Sequence, residues 1–229
     1  MKLPQAPREL IILYMFERPL KLKHNDDQRV FFTSDTHFNH DKEFVYKSRG
    51  YNNRYEHNDA LINKINELVR AQDILFHLGD FCLNIQMEEF NTLIKRINCQ
   101  HIHYIWGNHN SRIRELYEET MSREFQRNDI EVYPYTVGRL IYQGYYKEIT
   151  VEGQAIVLHH YPHDIFNQQQ KSSWQLSGHS HYGNPRTQVT FIDKKILDVS
   201  WDGHKKPLSF TEIQKIMSNK KNIKSDSHH

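Results

Sequence analysis

The stretch FFTSDTHFNH, Phe31 to His40, begins as a strand and ends in a carboxylate and two imidazoles. The run Val30-Phe31-Phe32 is β-branched and aromatic, which predicts a buried strand. Asp35, His37 and His40 crowd directly behind it. Buried alone, such groups are costly, so they need partners. Ordinary hydrogen bonds or metal ions would both serve, and the stretch by itself leaves the choice open. Working outward from it, the question is whether other strands end the same way.

They do. The apolar run Ile74 to His77 leads into Gly79-Asp80, and His101 to Trp106 leads into Gly107-Asn108-His109. Further on, Ala155 to His159 leads into His160-Tyr161-Pro162, and Trp174 to Ser177 into Gly178-His179-Ser180-His181. Between the first three runs lie helical patterns. Asn58 to Arg70 carries Leu61, Ile62, Ile65, Leu68 and Val69 at helical spacing, and Gln86 to Ile97 carries Phe90, Leu93, Ile94 and Ile97 on one face. Arg112 to Arg127 also reads as helix.

After that the style changes to strands joined by short turns: Val132 to Val137, Leu140 to Tyr146, Lys147 to Val151, Gln188 to Ile192 and Ile196 to Ser200. Leu10 to Phe16 reads as a possible strand, Lys21 to Gln28 as a polar turn, and Phe210 to Met217 as a closing helix. A βαβα half followed without a linker by a mostly β half predicts one α/β domain, residues 1–220, containing two packed sheets with helices outside. Residues 221–229 are expected to form a flexible tail.

Composition narrows the function. Among 229 residues, 25% are charged and 12% aromatic, and the net charge is +2. That balance gives little support to broad nucleic-acid binding by charge. Asp193 to Asp226 has only a weak basic bias. Two cysteines, Cys82 and Cys99, cannot build a disulfide framework or a four-cysteine zinc site, so a reducing, cytoplasmic setting is expected. Acidic Glu9 and Glu17 flank Leu10 to Phe16, unlike a secretory signal, and no apolar run reaches the roughly 18 residues of a membrane helix. A serine hydrolase is unsupported, because there is no G-x-S-x-G elbow. The unusual number is sixteen histidines; His228 and His229, which could belong to a purification tag, are set aside.

In an open α/β sheet, ligands bind beyond the carboxyl ends of the strands. Parallel strands would therefore bring Asp35, His37, Asp80, Asn108 and His109 to one rim. In an extended segment, His179 and His181, two apart, can point the same way, as can Asp35 and His37. Gly79, Gly107 and Gly178 each precede such a residue and would permit tight turns or close backbone approach. Taken singly, each motif reads as a turn, a cap or a satisfied histidine. Their ordered recurrence at strand ends is what carries weight.

In this order the motifs resemble those of the calcineurin-like metallophosphoesterases: D-x-H, G-D, G-N-H-(D/E), H and G-H-x-H. Here they read Asp35-Thr36-His37, Gly79-Asp80, Gly107-Asn108-His109-Asn110, His160 and Gly178-His179-Ser180-His181. The likeness spans about Val30 to Trp201 and is similar to the small bacterial and phage-borne branch. It implies a four-layer α/β/β/α sandwich with a two-metal centre. One ion would take Asp35, His37 and His181; the other Asn108, His160 and His179; Asp80 would bridge. His109 would face the phosphate as the catalytic acid. His160 rather than His159 is implied as the ligand, because it precedes Tyr-Pro. Asn110 departs from the family's acid, which removes a charge that would stabilise an imidazolium at His109.

Carboxylate, carboxamide and imidazole ligands suit divalent Mn, Fe, Zn, Ni or Co, with Mn2+ expected. Two such ions activate a hydroxide and neutralise phosphoryl oxygens. The expected activity is therefore metal-dependent hydrolysis of phosphate esters, phosphodiesters first, on a substrate that could be a nucleotide or nucleic acid. A nuclease acting on nucleic-acid ends and a phosphomonoesterase are the alternatives within the class. A non-catalytic scaffold is disfavoured, because every ligand position is filled. His40 and Arg54, and less so Arg49, are expected to hold phosphate. Tyr133, Tyr135, Tyr142, Tyr145 and Tyr146 could stack a base, though strand tyrosines are more often packing residues.

Overall fold

The computed structural model describes residues 19–83, 85–109, 115, 136–137 and 140–222. The expected strand at 10–16, the helix at 112–127, Asn110, Tyr133 and Tyr135 lie outside these residues.

Among the described residues, eleven strands form two mixed sheets. The first sheet contains β2 (Val30–Thr33), β3 (Ile74–His77), β4 (His101–Tyr104), β5 (Thr136–Val137), β6 (Leu140–Tyr142) and β11 (Leu208–Ser209), in the order β11-β2-β3-β4-β6-β5. Strands β2, β3, β4 and β6 run parallel, while β11 and β5 are antiparallel edges. The second sheet contains β1 (Leu20–Leu22), β7 (Tyr146–Val151), β8 (Gln154–His159), β9 (Trp174–Ser177) and β10 (Ile196–Asp198), in the order β1-β7-β8-β9-β10.

Side-chain alternation tells the two faces apart. Val30, Phe32, Ile74 and Phe76 point toward the second sheet and meet Ile149, Ile156, Leu158, Leu176 and Leu197 in one apolar core. Phe31, Leu75 and Ile102 face the other way, onto helices α2 (Arg54–Leu68) and α3 (Met87–Lys95) through Leu61, Ile65, Phe90 and Ile94. On the outer face of the second sheet, Val157 and Ile196 pack with Phe166 of the loop after β8. Three layers of the expected sandwich follow from these contacts. The cluster on that outer face is made by strands and a loop rather than by a helix.

Several boundaries differ from the sequence reading. The segment Lys21 to Gln28 is not all turn: Leu20–Leu22 pairs with Ile149 to Val151 as a three-residue edge strand, too short to show a period. Helix α2 begins four residues before Asn58, because the Asn53 side chain accepts from the backbone N–H groups of Tyr55 and Glu56. Gln188 to Ile192 is not a strand. Its carbonyls at Gln188 and Phe191 are taken by the buried Lys220 ammonium, each at 2.6 Å, instead of by a neighbouring strand. Two short helices, α1 (Glu43–Ser48) and α4 (Trp201–His204), were not expected; α5 (Phe210–Ser218) was, and Ser209 and Glu212 close its capping box. Among the described residues, no helix is long and apolar enough to cross a membrane.

Candidate metal centre

In register, Thr33 lies beside His77, and His77 beside Tyr104. The parallel strands β2, β3 and β4 thus stop level with one another, and Asp35, Asp80, Asn108 and His109 follow at the same edge. Strands β8, β9 and β10 are also mutually parallel and release His160, His179, His181 and Asp202. The rim is made by both sheets.

The side chains do not reach it by strand alternation. Asp35, His37, Asp80, His179 and His181 all have left-handed backbones, with φ of 56°, 50°, 54°, 64° and 47°. Such conformations cost an ordinary residue about 1–3 kcal/mol, so the surroundings must hold them. The hold is a set of loop-to-loop hydrogen bonds: Asp35 N to Gly79 O at 3.0 Å, His37 N to Asp80 O at 3.0 Å and Phe38 N to Phe81 O at 2.8 Å. One consequence corrects the expectation for the histidine pair. His179 and His181 do not point together: His179 turns to Asn108, and His181 to Asp35 and His37.

The glycines allow this crowding. A methyl at Gly107 would overlap the Asp80 carboxylate, and one at Gly178 would overlap Ser34 and Asp35. Gly79, at φ 104°, needs its freedom as well as its small size.

The seven residues form two adjoining halves. In one, Asp35, His37 and His181 offer ligand atoms all within 4.8 Å of one another. His181 Nε2 lies 3.6 Å from Asp35 Oδ1 and 3.3 Å from His37 Nε2. In the other, Asn108 Oδ1 stands 2.8 Å from both His160 Nε2 and His179 Nδ1. Asp80 lies between the halves, its Oδ2 3.8 Å from His37 Nε2 and 3.6 Å from His160 Nε2.

The donor set fits divalent cations. Asp35 Oδ1 is buried and has no hydrogen-bond partner, while its Oδ2 accepts from His179 N. Burial pushes the Asp35 carboxyl up to about 7, against the opposing pull of His181. Burial, helped by the nearby His181 and Arg49 charges, pushes His37 down to about 2. His160 Nδ1 donates to Leu78 O at 2.7 Å, so its Nε2 presents a lone pair toward Asn108 and Asp80. His181 Nδ1 donates to Asp202 at 2.6 Å, so that in the neutral ring its Nε2 is left in the same condition. Lone pairs and an unpartnered carboxylate oxygen converging at one rim are what a cation would satisfy.

The remaining predicted residues fall differently. The exposed His109 anchors its backbone N–H on Asp80 Oδ1 at 2.9 Å, and its ring lies 5.8 Å from that of His37. His40 is buried, its ring 5.7 Å from that of His37, and its Nδ1 accepts from Lys42 N. Arg54, at the first turn of α2, stacks over Tyr55 and bonds its hydroxyl; no described contact joins it to the seven. Arg49 is not a phosphate-holding residue. Its side chain is buried, and its five N–H groups are consumed by Asp202, Thr36 O, Asp35 O and His57. His159 turns away to Tyr161 and His163. Of the tyrosines, Tyr142 packs on Trp106 and Tyr146 bonds Glu148, whereas Tyr145 is exposed.

Sequence reasoning missed Asp202 and Asp198. Burial would raise the Asp202 carboxyl, but the His181 and Arg49 hydrogen bonds hold it well below the usual carboxylate range. Asp198 accepts from Ser180 Oγ and Tyr182 N and so pins the turn that carries the histidine pair. Asp198 and Asp202 close or follow an apolar run, the same signal that exposed Asp35 and Asp80.

Residues 29–193 match the model of the calcineurin-like phosphoesterase superfamily domain. An uncharacterized protein of Methanocaldococcus jannaschii, MJ1445, is 36% identical over 83 residues, covering 36% of this chain and 47% of that protein. The chain thus spans about half the length of this curated relative. The crystal structure of AQ665 from Aquifex aeolicus, a protein of unknown function, superposes with a TM-score of 0.56 at 22% identity. It covers 82% of this chain and 99% of its own, a likeness of fold.

Proposed function

The chain belongs to the calcineurin-like phosphoesterase superfamily, whose members are metal-dependent phosphoesterases, and from this we propose that it hydrolyses phosphodiesters at a two-ion centre. Asp35, His37 and His181 would hold one divalent transition ion; Asn108, His160 and His179 would hold the other; Asp80 would bridge them. The observation that carries this reading is Asp80 Oδ2, set between His37 Nε2 at 3.8 Å and His160 Nε2 at 3.6 Å. When bound, ions of this kind supply Lewis-acid activation of water and of phosphoryl oxygens.

The chain's own groups do the rest. His109 is exposed above Asp80, where its imidazole would give a proton or a hydrogen bond to the leaving oxygen. Its backbone anchor keeps that ring beside His37. His40 would line the phosphate pocket, and Arg54 would meet phosphate from the start of α2. The preference for diesters rests on charge. With Arg49 wholly engaged in protein contacts and His40 held neutral by burial, Arg54 is the one cation among the predicted phosphate-holding residues left for the extra charge of a monoester.

The test is a metal-by-substrate screen on metal-stripped protein. Bis-p-nitrophenyl phosphate and p-nitrophenyl phosphate share a leaving group and should be compared at fixed Mn2+. Faster turnover of the diester is expected. A monoester faster by tenfold or more would make the protein a phosphomonoesterase, and no turnover with Mn, Fe, Zn or Ni would refute the reading altogether.

A further inference from the structure

The two halves of the centre are oriented by different means. His160 is fully buried and fixed by a backbone carbonyl, Leu78 O. His181 is half exposed, with side-chain exposure of 43%, and sits in a left-handed turn, so packing alone cannot orient its ring. What orients it is Asp202, whose Oδ2 takes the Nδ1 proton at 2.6 Å. That carboxylate is itself held by Arg49 through Nε to Oδ1 at 2.9 Å and Nη2 to Oδ2 at 2.7 Å.

The same guanidinium grips the backbone of the first ligand loop. Nη2 donates to Asp35 O and Nη1 to Thr36 O, both at 2.8 Å. His57 takes a further Arg49 N–H at 2.9 Å. The start of α4, which carries Asp202, is stitched to the end of β2 by Trp201 N to Ser34 O at 2.9 Å. One buried fork therefore ties the loop bearing Asp35 and His37 to the histidine that comes from the other sheet. None of these bonds reaches Asn108, His160 or His179.

We propose that Arg49 and Asp202 are positioning residues that set the cation affinity of the Asp35–His37–His181 half alone, leaving the Asn108–His160–His179 half unaffected. The proposal rests on the two-ion reading above. Among the described residues, the polar groups at the Asp202 carboxylate are all donors: two Arg49 N–H groups, His181 Nδ1–H and, at 3.7 Å, the Lys205 ammonium. An amide at this position must therefore turn its NH2 against one of them. Turned toward Arg49 Nε–H, it breaks the fork that holds this side chain; turned toward Arg49 Nη2–H and His181 Nδ1–H, it also takes from His181 the partner that keeps its Nε2 lone pair facing Asp35 Oδ1. Loss of such outer partners typically lowers metal affinity about 10–100-fold.

The experiment is a Mn2+ titration of metal-stripped protein, with free ion followed by electron paramagnetic resonance and heats by calorimetry. Wild type should take two ions. Asp202→Asn should take one at wild-type affinity and the second about 10–100-fold more weakly. Its bound signal should pass through a single-ion form that wild type fills only briefly. Arg49→Lys keeps the charge but loses the fork, and should shift the same ion in the same direction; it answers the question should Asp202→Asn not fold. Two ions at wild-type affinity in either folded variant, or equal weakening of both, would overturn the proposal while leaving the two-ion reading intact. A wild-type protein that takes up no Mn2+ would instead overturn the reading on which it rests.

Discussion

Asp73 and Asp35 are both fully buried aspartates, at opposite ends of the same parallel strands, and they have opposite fates. Asp73, just before β3, accepts from Arg29 N and Nη2 and from Arg70 N, Nε and Nη2. Burial would raise its carboxyl, but those bonds bring it down to about 2. Asp35 has one oxygen on a backbone N–H and the other on nothing, and burial takes it up to about 7. Equal burial with unequal satisfaction separates scaffold from site. At one end the protein closes its own charge, and at the other it leaves the charge for something from outside.

The comparison breaks first at Asp80 and His37. Asp80→Asn should abolish turnover and weaken uptake of both ions, whereas His37→Ala should chiefly affect one. Neither should unfold the protein, since no ion pair of the scaffold is lost. If Mn2+ uptake measured by dialysis and elemental analysis is unchanged in Asp80→Asn, the bridging role is wrong. Next in size, His109→Ala should keep both ions and lose about 10²–10⁴-fold in turnover, less for p-nitrophenolate than for poorer leaving groups. Equal losses across leaving groups would reduce His109 to a phosphate-positioning role.

A third effect is electrostatic and runs in opposite directions at the two ends. Asp35 is raised in the fold, so the native state holds its proton longer than the unfolded chain. Metal-stripped protein should therefore lose stability as pH rises from about 4 to about 7, and saturating Mn2+ should remove that slope. Asp73 is lowered, so its contribution is present above about pH 4 and disappears as pH falls through about 2. Chemical denaturation across pH, with and without Mn2+, separates the two. The smallest effect is Asp73→Asn at neutral pH, which should cost about 2 kcal/mol of stability and leave turnover untouched. A loss of activity there would mean that the two ends are coupled.

Much of this was legible in the sequence because the site residues follow apolar runs. Ile74–His77 and Trp174–Ser177 were bounded correctly, and Asp35, Asp80, His160 and the histidine pair stand where each run stops. The left-handed turns were not legible. Asp, His and Tyr in such turns look like any polar loop, and alternation wrongly suggested that His179 and His181 share a direction. Arg49 was illegible for another reason: a lone arginine in a polar segment reads as solvated, and only the tertiary fold brings Asp202 and two carbonyls around it. Leu20–Leu22 and Gln188–Ile192 failed because pairing partners distant in the chain, not local pattern, decide whether a short segment is a strand.

The rim draws each half of its donor set from both sheets: Asp35 and His37 from one with His181 from the other, and Asn108 with His160 and His179. In the proposed arrangement each ion is therefore a rivet through the sandwich. The strength of the joint would depend on the surrounding solution, gaining about 4 kcal/mol when free ion stands at a thousand times its dissociation constant. Its melting temperature would then act as a gauge of free metal, and a chelator would loosen the seam between the sheets without touching a single apolar contact of their core.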